Sequence, residues 1–137
     1  MRPHLALVAA LIVSALPVQA QTIYTARPTA EQLQQAPMLL VDIRQPHEWV
    51  ETGVLPNAVL LPFNDPAQFL AALAEHREPG QPVALICRTG NRTARAAQLI
   101  AGELDGPVID IQGGMFGLMA AGYDAPAPTR EQGCTIC

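Results

Sequence analysis

The sequence predicts an α/β domain: a mostly parallel central sheet flanked by helices on both faces. Three observations predict it. Short aliphatic runs recur along the chain, helical patterns with capping residues separate them, and a cysteine-bearing loop joins the end of one run to the start of one helix. Alternating strands and helices require a sheet covered on both sides. Strands buried on both faces read as continuous apolar runs, which is what these are.

The first 20 residues stand apart from that pattern. "MRPHLALVAALIVSALPVQA" has Arg2 near its start, an apolar stretch from Leu5 to Leu16, a helix-breaking Pro17 and a small-x-small Val18-Gln19-Ala20. That is the layout of an export signal cleaved after Ala20. That stretch of twelve residues falls short of the roughly 20 needed to span a bilayer. No cysteine lies near the junction, so lipid modification there is not expected. A periplasmic or secreted location follows.

Cleavage leaves seven arginines against 12 acidic residues, a net charge of −5, with no lysine anywhere. Nucleic acid and, after cleavage, membrane surfaces are therefore excluded as partners, because both demand clustered positive charge. The mature chain is long enough for one compact domain, placed at residues 22–124, with a C-terminal tail over 125–137.

Within the domain the elements follow in order. Thr29 and Gln32 form a capping box ahead of "EQLQQ". "MLLVDI" (38–43) is the first strand, "AVLL" (58–61) the second. Asp65 and Pro66 supply a cap and a first-turn proline for a helix through "AQFLAALAEH". "VALI" (83–86) is a strand, and a helix beginning near Thr93 carries Ala94, Ala97, Ile100, Ala101 and Leu104 on one face. "VIDI" (108–111) is the last strand. In such a fold, ligands bind beyond the carboxyl ends of the strands. Asp42 and Cys87 sit there.

Cys87 closes its strand and is followed by Arg88-Thr89-Gly90-Asn91-Arg92-Thr93. Gly90 and Asn91 tolerate left-handed conformations, so the loop amides can curl around one point. The following helix N-terminus and two arginines add positive potential. All of these favour thiolate, the nucleophilic form; in comparable surroundings a cysteine pKa falls from about 8.5 to roughly 3.5–7.5. An inert core cysteine would sit inside the apolar run, not where the run meets arginine and glycine. The three cysteines also leave one unpaired if two join, and Cys87 is the candidate for the free one.

At these residues "CRTGNRTARAA" resembles the active-site loop and helix of the rhodanese family of sulfurtransferases. "VDIRQPHEWVETGVLPNAVLLP" is similar to that family's upstream segment, and "IDIQGGMFGLMAAGYD" to its last strand, double glycine and final helix. The resemblance covers about residues 22–124 and implies a rhodanese-like fold. It implies that Cys87 takes a sulfane sulfur from a donor such as thiosulfate, carries it as a persulfide, and passes it to cyanide or a thiol. No cofactor is implied. Arg88 and Arg92 would hold the anionic donor, and the loop amides would stabilise the persulfide. The chain departs from the family pattern at Val54, Asn57 and Leu118, positions read as packing or turn residues.

Asp42, Arg44 and Glu48 border the loop in that family. Arg44 could add to the positive field. Pairing with Asp42 or Glu48 is the preferred reading, because breaking one partner of a buried pair typically costs about 3–5 kcal/mol. Two other functions compete. A cysteine phosphatase needs Cys-x5-Arg, whereas four residues separate Cys87 from Arg92. A non-catalytic sulfur, oxyanion or redox-binding module would keep the fold without turnover.

The tail "APAPTREQGCTIC" is proline-rich and polar, so it is expected to be extended and mobile. Its Cys134 and Cys137 could form a local disulfide, act as a redox pair, accept sulfur from Cys87, or engage a thiol protein partner. Metal binding is disfavoured, because four ligands are normally wanted and His47 and His76 show no ligand spacing. Both histidines are expected at the surface, and Trp49 in the packing.

Overall fold

A computed structural model of the chain describes residues 22–137; the leader-like segment 1–20 lies outside the described residues. The chain order is β1 (Ile23–Ala26), α1 (Ala30–Gln35), β2 (Leu39–Asp42), α2 (Pro46–Thr52), β3 (Val59–Leu60), α3 (Pro66–Ala74), β4 (Val83–Ile86), α4 (Asn91–Ile100), β5 (Val108–Ile111) and α5 (Gly114–Ala120). The five strands form one sheet in the order β1-β5-β4-β2-β3, with every pairing parallel.

Side-chain alternation along these strands builds two cores. On one face Leu40, Ala84, Ile86 and Ile111 pack with Leu33 of α1, Trp49 of α2, and Met115 and Leu118 of α5. On the other, Val41, Val83, Leu85 and Val108 pack with Phe69 and Leu73 of α3 and with Ala96, Ala97 and Ile100 of α4. The expected cover on both faces is therefore present. His47 and His76 are exposed, and Trp49 is fully buried. No helix among the described residues is long and apolar enough to cross a membrane.

The capping signals act as expected at two helices. At α1 the Gln32 amide donates to Thr29 Oγ1 (3.2 Å) and Thr29 N–H donates to Gln32 Oε1 (2.9 Å). At α3 the Asp65 carboxylate accepts from Gln68 N–H at 2.9 Å. Two elements add to those read from the sequence. β1 is an edge strand, three of its four residues exposed, and so lacks an apolar run. α2 has seven residues and buries just Glu48 and Trp49, too few to show a helical period. It starts at Pro46, pre-set for the first helical position, and Glu48 accepts from Gln45 N–H at 2.9 Å.

The tail differs from the expected mobile extension. Val54 N–H donates to Pro126 O (2.9 Å) and Leu60 N–H donates to Gln132 O (2.7 Å). The Gln132 amide nitrogen donates in turn to the carbonyls of Leu55, Pro56 and Ala58. The physical reason is the sheet edge: β3 is two residues long and its outer face presents unpaired backbone groups. Gln132 meets that demand, and Cys134 follows it into the core, where it is bonded to Cys137.

Candidate active site

β2, β3, β4 and β5 all run toward the same edge of the sheet, and their outgoing loops converge there. Cys87 is the first residue after β4. The residue is almost completely buried, at 1% exposure, and it is a free thiol. The chain turns immediately after it: Gly90 takes φ +101°, and its N–H donates to Cys87 Sγ at 3.1 Å. A Cβ on Gly90 would lie 3.1 Å from Gly113 N and 3.3 Å from Gln112 Cα, so the turn is both left-handed and tight against the β5–α5 junction. This is why α4 begins at Asn91, two residues before the expected start.

Thr93 completes the sulfur's surroundings. Its hydroxyl lies 3.8 Å from Sγ and donates to Gly90 O at 2.8 Å, tying the turn to the first helical residues. Because the N-cap is a glycine, no side chain caps α4. The expected curl of several amides is realised by one amide, that of Gly90, with the positive end of α4 behind it.

The loop carbonyls face the other way, toward α5. Met115 N–H donates to Cys87 O (2.9 Å) and Phe116 N–H donates to Arg88 O (3.0 Å). Gly114 permits this approach: a Cβ there would collide with Cys87 O. Two positions named only by their place after a strand, the double glycine, thus act as the seat on which the Cys87 loop rests.

The arginines divide sharply. Arg44 is fully buried with Asp42; its Nη2 lies 2.7 Å from Oδ2 and its Nε 2.9 Å from Oδ1. It donates further to Thr52 Oγ1 (2.6 Å) and Gly53 O (2.8 Å), clamping β2 to the end of α2. That is the structural role preferred from the sequence. Glu48 pairs not with Arg44 but with Arg92, in a two-pronged contact of 2.6 and 2.8 Å. The Arg92 bond lowers the Glu48 carboxyl from 4.5 to about 2, against the opposing effect of burial. Glu48 in turn raises the Arg92 guanidinium, and a charge on Cys87 would add to that. Arg92 therefore couples α2 to α4 beside the sulfur. Arg88 swings outward, its guanidinium 4.5 Å above the Phe116 ring.

Two clefts flank the loop. One, about 390 Å³, is lined by Ile43, Gln45, Phe63, Arg92, Arg95 and Leu99, among others. The second, about 260 Å³, is lined by Thr89, Gly90, Asn91 and Ala94 with Arg27, Gln112 and Gly113. Arg27 and Gln112 were not singled out by the motif: each is a lone residue after a strand, β1 and β5, and carries no signal of its own. Cys134 and Cys137 lie with the tail beside β3 and are bonded to each other. Among the described residues no group of three or more His, Cys, Asp or Glu could hold a metal ion.

Solved structures similar in fold include a rhodanese-like domain protein from Staphylococcus aureus, 19% identical, with a TM-score of 0.55 over 77% of this chain and 99% of that one. The Alr3790 protein from Anabaena is 15% identical, with a TM-score of 0.59 over 77% and 88%. The polysulfide-sulfur transferase homodimer from Wolinella succinogenes is 22% identical, with a TM-score of 0.57 over 82% and 83%. At such identities the likeness speaks for the fold. No curated protein matches the sequence. Residues 25–121 match the rhodanese-like domain, and the chain belongs to that family.

Proposed function

We propose that the protein is a sulfurtransferase that carries a sulfane sulfur on Cys87. The observation that carries this reading is the sulfur's position at the end of β4, with the Gly90 amide aimed at it from 3.1 Å and the uncapped start of α4 behind. Those donors stabilise negative charge on sulfur, before and after transfer.

With thiosulfate as donor, the Cys87 thiolate attacks the outer, sulfane sulfur. A new S–S bond forms to Cys87, the S–S bond of thiosulfate breaks, and its electron pair leaves on sulfite. Cyanide or a thiolate then attacks the outer sulfur of the persulfide and the electron pair returns to Cys87. Net charge balances in each step and no oxidant is consumed. Polysulfide, the substrate named for the Wolinella protein, offers sulfane sulfur to the same attack. With Cys87 at 1% exposure, donor and acceptor approach from the clefts that border its loop at Arg92 and at Thr89 to Asn91.

Export to an oxidising compartment is part of this proposal. The leader-like first 20 residues support it, as does the Cys134–Cys137 disulfide. N-terminal sequencing of the secreted chain should begin at Gln21.

Intact-mass measurement after thiosulfate treatment tests the transfer itself. The chain should gain one sulfur, about 32 Da, and lose it on adding cyanide. Cys87→Ser should gain nothing. A wild-type chain that stays unmodified with thiosulfate and with polysulfide would identify a binding module instead of an enzyme.

A further inference from the structure

We propose that Arg27, at the carboxyl end of β1, receives the oxyanion half of the sulfur donor in the cleft it shares with the Cys87 loop. The inference rests on the persulfide reading above and narrows its substrate: a small dianion that joins a sulfane sulfur to a sulfonate-like group.

The argument begins with which cations are free. Arg44, Arg77 and Arg92 are each paired with a carboxylate, and Arg130 donates to Cys137 O. Arg88 lies on Phe116. Among the described residues the side chains of Arg27 and Arg95 have neither an ion pair nor a hydrogen bond. Arg95 lines the larger cleft, whose walls are largely apolar and include none of residues 88–91. Arg27 lines the smaller one opposite Thr89, Gly90 and Asn91. Gly90 is the residue whose N–H reaches Cys87 Sγ, so the cleft borders the turn that holds the sulfur, although Cys87 itself is not among its walls.

The rest of that cleft suits an oxyanion. Its other walls are Thr89, Asn91, Ala94, Gln112 and two glycines, which bring hydroxyl and amide donors and no carboxylate. Glu31, the acidic residue closest to Arg27 in sequence, lines only the neighbouring groove, which Arg27, Gln112 and Gly113 also border. The cleft's volume, about 260 Å³, accommodates a small anion. Arg27 is also held in register with the loop, because Gln112 N–H donates to Ala26 O at 2.8 Å and joins the ends of β5 and β1. On a chain of net negative charge, an anionic donor needs such a local cation.

The test separates binding from transfer. Cys87→Ser holds a donor without reacting with it, so thiosulfate is titrated into that chain and into Cys87→Ser/Arg27→Gln by calorimetry. We expect Kd to rise about tenfold on losing Arg27, to recover in part with Arg27→Lys, and to lose most of its dependence on added salt in the Gln variant. Arg27 makes no contact that the fold depends on, so the variant should melt with its parent. Equal Kd values with and without Arg27 overturn the assignment, and so does the absence of measurable binding to Cys87→Ser. Persulfide on the wild-type chain without an Arg27 effect refutes this inference alone; Arg27-dependent binding without persulfide refutes the transfer reaction alone.

Discussion

Cys87 and Cys134 are hidden to nearly the same degree, 1% and 3% exposed, and each packs in an apolar cluster, yet the polar groups around them differ. Cys134 sits among apolar side chains and is bonded to Cys137, with its own N–H spent on Thr129 O at 3.2 Å. Cys87 has a backbone donor aimed at its sulfur, a hydroxyl 3.8 Å away, and its carbonyl held by α5. Burial alone does not distinguish the two cysteines. The polar groups that converge on the sulfur do.

The sharpest way to break that comparison is to exchange the two roles. Cys87→Ser should abolish sulfur transfer, a fall on the order of 1,000-fold or more in turnover, with little change in melting temperature. The paired substitution Cys134→Ala/Cys137→Ala should still gain the persulfide, and should lose stability instead. Its closed loop spans four residues, for which chain entropy gives about 2 kcal/mol. Persulfide loss in the double variant would show that the tail pair takes part in transfer; an unchanged melting temperature would show that Gln132 alone holds the tail.

Beneath the reactive loop lies the second contrast, between two arginine–carboxylate pairs. Arg44 and Asp42 are both fully buried. Arg44→Ala would strand the Asp42 carboxylate, so stability should fall by about 3–5 kcal/mol, measured by urea unfolding. Activity should follow the folded fraction. A fully stable but inactive Arg44→Ala would instead give Arg44 a part in holding the donor.

These contrasts also mark what the sequence could and could not show. β2, β4 and β5 were legible because strands buried on both faces are apolar throughout, and the Cys87 loop because its glycine and arginine spacing is specific. β1 and α2 were not, since an exposed edge strand and a helix that buries two residues leave no period. The tail misled for a physical reason: its proline-rich, polar composition describes a solvated chain, while Gln132 spends its polar atoms on the carbonyls and amide of residues 55–60. Glu48 was grouped with Arg44 because both border the loop in the family that the motifs resemble. Its true partner, Arg92, is 44 residues away, a distance that no local pattern spans.

That Arg92–Glu48 pair offers the smallest effect and the finest test. Arg92 is 44% exposed and Glu48 8%, so solvent screens the pair more than it does Arg44–Asp42. The Glu48 carboxyl is lowered from 4.5 to about 2, first by its bond to Arg92. A carboxyl lowered on folding stabilises the fold fully above its unfolded value, and that contribution disappears as pH falls from about 4.5 toward 2, where the unfolded chain binds the extra proton. Arg92→Gln removes the main cause and leaves burial, which acts in the opposite direction. Its acid-unfolding midpoint should therefore move to higher pH than that of the parent chain, while stability near pH 7 drops by about 1 kcal/mol or less. Coincident acid limbs for the two chains would mean that Glu48 is held ionised by its bond to Gln45 N–H, and that Arg92 is free to serve the sulfur site.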